Sequence, residues 1–127
     1  MNKEEFVRVM KLQTSDSAVS GTIKTLTRSA GRKPSERLVR MSAWHNQLGM
    51  NDQEMLREAL KDAAESAVFS FLCILDGVRV IEAGPNQGEL ELYYVKDGKK
   101  TLLNDPHQEE LHNLFNALRP PAETAGS

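Results

Sequence analysis

The hydrophobic positions of this chain follow a helical period over a long central stretch. Apolar residues recur there at about 100° steps and form one stripe, whose members are Leu56, Leu60, Ala63, Ala64, Ala67, Phe71, Ile74 and Leu75. Asn51 is a favourable N-cap, Glu54 completes a capping-box pattern, and Gly77 suits the left-handed position that ends many helices. The pattern predicts a helix over Asp52–Leu75. A strand over Val68–Leu75 is the competing interpretation, because Val, Phe and Ile favour strands.

Three shorter helices are predicted ahead of this central helix. The first covers about Asn2–Leu12, where imperfect spacing leaves a short strand as the alternative, and the polar residues Gln13–Ser17 form a turn. The second helix runs on to about Ser29, with its apolar residues on one side. The third begins with Pro34 as its first residue and runs to about Leu48. Its inward residues are Leu38, Met41, either Trp44 or His45, and Leu48.

After the central helix, the hydrophobic period changes from 3.6 to two. Val78–Glu82 is a short predicted strand, and Glu89–Val95 is a clearer one with alternating apolar side chains. The dipeptide Asp97-Gly98 predicts a two-residue hairpin turn into a third strand. The register that matches the apolar faces pairs Tyr94 with Thr101 and Leu92 with Leu103. The three strands then form an antiparallel meander.

A last helix is predicted with Asp105 as its cap and Pro106 as its first residue. The fold class is α+β: three N-terminal helices, a long central helix, a three-stranded antiparallel β-meander and a C-terminal helix. Residues 1–121 are expected to form a single globular domain, and residues 122–127 a disordered tail. The apolar face of the sheet is expected to pack on the second half of the central helix, which is apolar nearly all round.

Composition narrows the class of protein. A chain of 127 residues with 39% hydrophobic and 27% charged residues fits one soluble domain. Cys73 is the only cysteine, which excludes an intramolecular disulfide, and its apolar setting predicts a buried, inert thiol. The charged N-terminus does not read as a signal peptide, which predicts a cytoplasmic protein; a bacterial origin is an interpretation from size alone. The sequence has no phosphate-binding loop, dinucleotide motif, nucleophile elbow or cysteine pair, so we expect no enzyme activity and no cofactor.

The net charge of −2 conceals a division along the chain. Residues 1–50 hold nine Lys/Arg and four Asp/Glu, a net charge of +5, and residues 51–127 hold seven and fourteen, a net charge of −7. The basic candidates are Arg28, Arg32, Lys33, Arg37 and Arg40, and Glu36 alone opposes them. They are suited to a phosphate backbone or to an acidic protein surface, or they form a solvated face partly paired with the acidic half. A helix-turn-helix is not indicated, because the connection is longer than usual and contains Pro34.

Acidic residues mark a second candidate surface on the predicted sheet. Its members are Glu82, Glu89, Glu91 and Tyr93. An open acidic sheet face carrying a tyrosine could dock a basic partner, and a plain solvated face is the alternative.

The remaining candidates are interpreted structurally. His107 and His112 lie five residues apart, which departs from the spacing of a zinc-binding HExxH motif, so they are predicted to be surface histidines. The row Glu58, Asp62 and Glu65 contains no histidine and is predicted to be a solvated face rather than a metal site. Trp44 is predicted to lie in the core; if exposed, it would suit an interface anchor.

The leading functional hypothesis is a non-enzymatic protein-interaction module, such as a small inhibitor, an immunity-like protein or an adaptor. The alternative is a nucleic-acid-binding regulator that uses the basic segment 28–40. The partner is expected to be a protein, with nucleic acid as the alternative and no role for a membrane.

Overall fold

The structure, a computed structural model, describes residues 1–28 and 31–120. It is a mainly helical α+β fold with one long N-terminal helical element, further helices and a two-stranded hairpin. The chain divides into two compact units. One, here called the helical unit, is Leu12–Ser66, and the other, here called the hairpin unit, comprises Met1–Lys11 and the described residues from Ala67 onward. The single domain stays a prediction, and the predicted tail at 122–127 lies outside the described residues.

The first predicted turn is helical in the structure. Helix α1 (Lys3–Lys11) leads through a five-residue π-helical turn, Leu12–Asp16, into helix α2 (Ser17–Thr27). The prediction of two helices separated at Gln13–Ser17 is therefore wrong. This polar segment has no glycine or proline to stop a helix. The chain therefore passes through one π-helical turn and stays helical from α1 to α2. The N-terminal end is capped by Asn2, whose Oδ1 accepts the Glu5 N–H at 2.8 Å.

Helix α3 spans Glu36–Gln47 and packs against α2 in the helical unit. The Ser35 hydroxyl accepts the Leu38 N–H at 3.2 Å, so Ser35 is the N-cap and Pro34 lies outside the helix, contrary to the prediction. Asn46 Nδ2 donates to the Thr27 carbonyl at 3.2 Å, which joins the end of α2 to α3.

Helix α4 spans Met50–Leu75 and begins two residues earlier than the predicted Asp52. Gly49 takes the capping position assigned to Asn51, because its carbonyl accepts the Gln53 N–H at 3.0 Å. The C-terminal end was predicted correctly: Gly77 has a φ of +76°, and the Val78 N–H donates to the Cys73 carbonyl at 3.0 Å. This geometry is a Schellman ending.

One cluster of buried apolar side chains in the hairpin unit is built from helices. Its members are Val7, Leu72, Leu111 and Phe115, contributed by α1, α4 and helix α5 (Leu111–Leu118). Burial of each such side chain contributes about 1.5–3 kcal/mol. Leu72 is fully buried, whereas Phe71, assigned to the inward stripe, is 52% exposed. The second half of α4 is apolar on every side, so no polar face defines which direction points inward.

The sheet is smaller than predicted. Strands β1 (Tyr93–Lys96) and β2 (Lys99–Leu102) form an antiparallel pair, and the predicted pairing of Tyr94 with Thr101 is confirmed. Asp97 and Gly98 both have positive φ, as a type I′ turn requires. Val78–Glu82 is not a strand, so the three-stranded meander is wrong. Its side chains are exposed, and strand propensity without a partner strand does not create a ladder.

The buried apolar side chains that accompany Leu72 come from α1 and α5, and the expected packing of the sheet on α4 stays a prediction. Helix α5 begins at Leu111, five residues after the predicted Pro106. Asp105 caps only a local turn, in which its Oδ1 accepts the His107 N–H at 2.9 Å. Leu103 follows β2 and is buried, and the side chain of Asn104 binds the Leu75 carbonyl at 2.6 Å.

Candidate functional site

The outer side of α3 carries a continuous stripe of two arginines, a methionine and the only tryptophan. Arg37, Arg40, Met41 and Trp44 occupy positions i, i+3, i+4 and i+7, which bring side chains to one face of a helix. Together they line an open, shallow depression of about 260 Å³ in the helical unit. We call these four residues the α3 patch.

Trp44 is exposed because the buried side of α3 is occupied by other residues. Ser42 and His45, three residues apart, are the buried members of α3, and His45 is only 3% exposed. A step of about 100° from His45 turns Trp44 outward, and its side chain is 50% exposed. The prediction of a core tryptophan is wrong, because the sequence offered two adjacent large residues for one inward position.

The end of α3 that carries Trp44 is held by hydrogen bonds to the start of α4. Gln53 Nε2 donates to the carbonyls of His45 at 3.2 Å and Leu48 at 3.3 Å. The His45 carbonyl also accepts the Leu48 N–H at 3.1 Å. These bonds use carbonyls that a helix leaves unpaired at its C-terminus, and they fix the backbone beneath the patch.

The arginines of the α3 patch are not neutralised by their surroundings. Within the described residues, Arg37 and Arg40 form no ion pair, and both are exposed. Arg28, Arg32 and Lys33 are likewise exposed but belong to the connection before α3 rather than to the depression. The structure therefore brings two of the five basic candidates together with an aromatic ring.

The acidic candidates do not share a sheet face. Glu82 lies in the loop before β1, where its Oε1 accepts the Gly88 N–H at 2.9 Å, and Glu89 and Glu91 precede the strand. The Tyr93 hydroxyl donates to Glu91 Oε2 at 2.9 Å, and this bond to a carboxylate raises the pKa of the Tyr93 phenol. Lys100 Nζ lies 5.2 Å from the centre of the same ring. The role of the acidic candidates and Tyr93 in docking a partner stays a prediction.

A second constellation joins the end of α4 to the start of α5 in the hairpin unit. The Asp76 carboxylate accepts the N–H groups of Leu111 at 3.1 Å and His112 at 2.8 Å, and its Oδ2 lies 2.7 Å from His112 Nδ1. The Asp76 and His112 side chains are only 3% and 13% exposed. Phe69 packs edge-on against the imidazole, with 5.7 Å between ring centres. His112 is thus not a surface histidine as predicted, whereas His107 is exposed.

Asp76, His112 and Glu110 together place three possible metal-ligand atoms close to one another. The Oε2 atom of Glu110 lies 3.8 Å from His112 Nδ1. The arrangement favours a helix cap over a cation site. The free N–H groups of α5 and the positive end of its dipole point at Asp76, and they repel a cation there. Asp76 therefore serves α5 as an N-cap from another part of the chain.

Two further residues differ from their predicted settings. Glu65 is buried, at 2% exposed, so the row it forms with Glu58 and Asp62 is not a uniformly solvated face. Cys73 is half-buried rather than buried, and desolvation together with the negative charge of Asp76 raises the pKa of its thiol. A raised pKa opposes thiolate formation, which suits an unreactive cysteine.

Sequence reasoning missed the Asp76–His112 pair and the patch geometry for different reasons. Local sequence marks Asp76 only as part of a helix end, and no local signal relates it to a helix 35 residues later. The patch had a signal, because Arg37, Arg40 and Trp44 follow helical spacing.

Comparison of the chain with protein-family models, curated proteins and solved structures found no match. Within the described residues, no helix is both long and apolar enough to cross a bilayer.

Proposed function

We propose that this protein is a non-enzymatic interaction module that binds a protein partner through the α3 patch. The observation that carries the proposal is the half-exposed Trp44, held on a fixed helix beside two arginines that have no ion pair in the described residues. Tryptophan and arginine are among the residue types most enriched at positions that dominate binding energy in protein interfaces.

The shape of the site supports a macromolecular partner. A depression of about 260 Å³ that is open to solvent does not enclose a ligand, whereas small-molecule sites are clefts that bury most of the ligand. An exposed indole offers a large, rigid apolar surface whose burial loses little conformational entropy. Met41 beside it adds a side chain that adapts to the shape of a partner.

The test compares what wild type and a Trp44→Ala variant retain from a native lysate, with Met55→Ala as the matched control. Met55 is also a large exposed apolar residue of the helical unit, 63% exposed, but it lies outside the patch. We expect a partner that is retained by wild type and by Met55→Ala and lost by Trp44→Ala. Retention of the same proteins by all three forms would refute the site.

A nucleic-acid-binding regulator is the second candidate, favoured by the exposure of Arg28, Arg32, Lys33, Arg37 and Arg40. Binding of this kind weakens steeply as salt rises, because phosphate contacts release counterions. A gel-shift titration at low salt tests it, and absence of retardation would remove this candidate.

The narrower roles also remain proposals. An inhibitor, an immunity-like protein and an adaptor would each act by binding a partner and would need no catalytic residues. A bacterial, cytoplasmic setting stays a prediction. Docking of a basic partner on Glu82, Glu89, Glu91 and Tyr93 also stays a proposal. Of these side chains, Glu82 already accepts the Gly88 N–H, and Glu91 already accepts the Tyr93 hydroxyl.

A further inference from the structure

The chemistry of the α3 patch defines the kind of partner that it fits. We infer that the patch binds an acidic protein segment whose carboxylates contact Arg37 and Arg40 and whose apolar side chain lies against Met41 and Trp44. This inference rests on the proposed function, and it adds which kinds of side chain the partner presents to the patch.

Charge complementarity is the first reason. Arg37 and Arg40 line the depression without a carboxylate partner in the described residues, and Arg28, Arg32 and Lys33 add positive charge on the preceding connection. Glu36 is the only acidic residue of α3. A guanidinium presents a fork of N–H donors that matches a carboxylate in two parallel hydrogen bonds. The carboxylates of an acidic segment would supply the ion-pair partners of these two guanidinium groups.

The dimensions of the patch are the second reason. Arg37 and Arg40 stand one turn apart, so their Cβ atoms are about 5–6 Å from each other. Trp44 lies seven positions after Arg37, which corresponds to a length of about 10 Å along the helix. In an extended segment, alternate side chains on one face are about 6.7 Å apart. Two carboxylates and one apolar side chain on alternate positions therefore span the patch.

The apolar half of the patch favours protein over nucleic acid. Met41 and Trp44 line the depression together with the two arginines, and a flexible methionine packs well against an aliphatic or aromatic side chain. A single-stranded nucleic acid is held by a groove that tracks its backbone with repeated positive charges and stacking rings. The depression itself is lined by two arginines and one ring.

The test is a selection of random displayed peptides on the full-length protein, on an Arg37→Glu/Arg40→Glu variant and on a control. The control, Lys96→Glu/Lys99→Glu, makes the same change in net charge at two exposed lysines of the hairpin. Glutamate at position 37 lies in the first turn of α3, where it complements the helix dipole, and position 40 is exposed, so the patch variant should fold. Circular dichroism checks this for each form.

A selected peptide is then titrated while the fluorescence of Trp44, the single tryptophan, is recorded. We expect enriched peptides that combine acidic and apolar residues, and a Kd raised about tenfold or more in the patch variant with the control unchanged. Binding should also weaken between about 0.1 M and 1 M salt, as the Debye length falls from roughly 10 Å to 3 Å. A single-stranded oligonucleotide titrated in parallel tests the other class of partner.

Several results would overturn the inference. They are selection of neutral or basic peptides, equal affinity for the patch variant, absence of any enriched peptide, and tighter binding of the oligonucleotide. Neutral peptides that require Trp44 would remove the acidic partner and leave the proposed binding site standing. Loss of the site itself would appear separately, as identical lysate partners for wild type and Trp44→Ala.

Discussion

Replacement of Asp76 by alanine is the sharpest test of how the hairpin unit is held together. The Asp76 carboxylate accepts two backbone N–H groups at the start of α5, at 3.1 and 2.8 Å, and lies 2.7 Å from the His112 imidazole. No side chain within α5 or at its N-cap residue Glu110 replaces these bonds. The variant removes the only side-chain cap that the described residues give this helix.

The magnitude follows from the bonds that are lost. An Asp-to-Ala change at an N-cap costs about 0.5–2 kcal/mol. Leaving the largely buried His112 ring nitrogen without its partner adds about 1–3 kcal/mol. We expect the free energy of unfolding to fall by about 1.5–5 kcal/mol, the sum of the two contributions, which lowers Tm by roughly 5–20 °C for a chain of this size.

Denaturant and thermal unfolding measure this effect, with Asp62→Ala as the matched control because Asp62 is an exposed aspartate of α4. Hydrogen exchange at Leu111 and His112 should also accelerate in the Asp76→Ala protein, since their amides lose their acceptors. Equal stability of the two variants would refute the capping role. Stabilisation of wild type by added Zn²⁺, abolished in Asp76→Ala, would instead identify a metal site.

Three other outcomes are expected. Leu72→Ala should lower the free energy of unfolding by about 2–5 kcal/mol, whereas Phe71→Ala should cost far less because that ring is half exposed; equal losses in chemical denaturation would contradict the core assignment. The Tyr93 phenol should ionise at a higher pH than an ordinary tyrosine, because its hydrogen bond to Glu91 raises its pKa by favouring the protonated form. Glu91→Gln should lower that pKa in an ultraviolet titration of a protein lacking the other tyrosine. An unchanged pKa would show that the bond to Glu91 is not the cause of the shift. Alkylation of Cys73 at neutral pH should be slower than that of a free thiol, because a raised pKa leaves less thiolate; a rate equal to that of a free thiol would contradict it.

The sequence alone determined the features that depend on neighbouring residues. The hairpin turn at Asp97-Gly98, the pairing of Tyr94 with Thr101 and the helix end at Gly77 were all predicted and are found. Each rests on a few adjacent residues whose backbone preferences or alternation act locally. Arg37 and Arg40 were named from the sequence as basic candidates, although their grouping on one face of α3 with Trp44 was not recognised.

The tertiary structure decided which of several locally acceptable choices was realised. The hydrophobic periodicity of α4 could not show which side of its second half faces inward, because that half is apolar on every side. Packing against α1 and α5 buries Leu72 and leaves Phe71 half exposed. Val78–Glu82 has strand propensity but no strand beside it, and propensity without a partner forms no ladder. Helix α5 begins at Leu111 where Asp76, distant in sequence, supplies the acceptors. The exposure of Trp44 was decided in the same way, because within the described residues the buried side of α3 is occupied by Ser42 and His45.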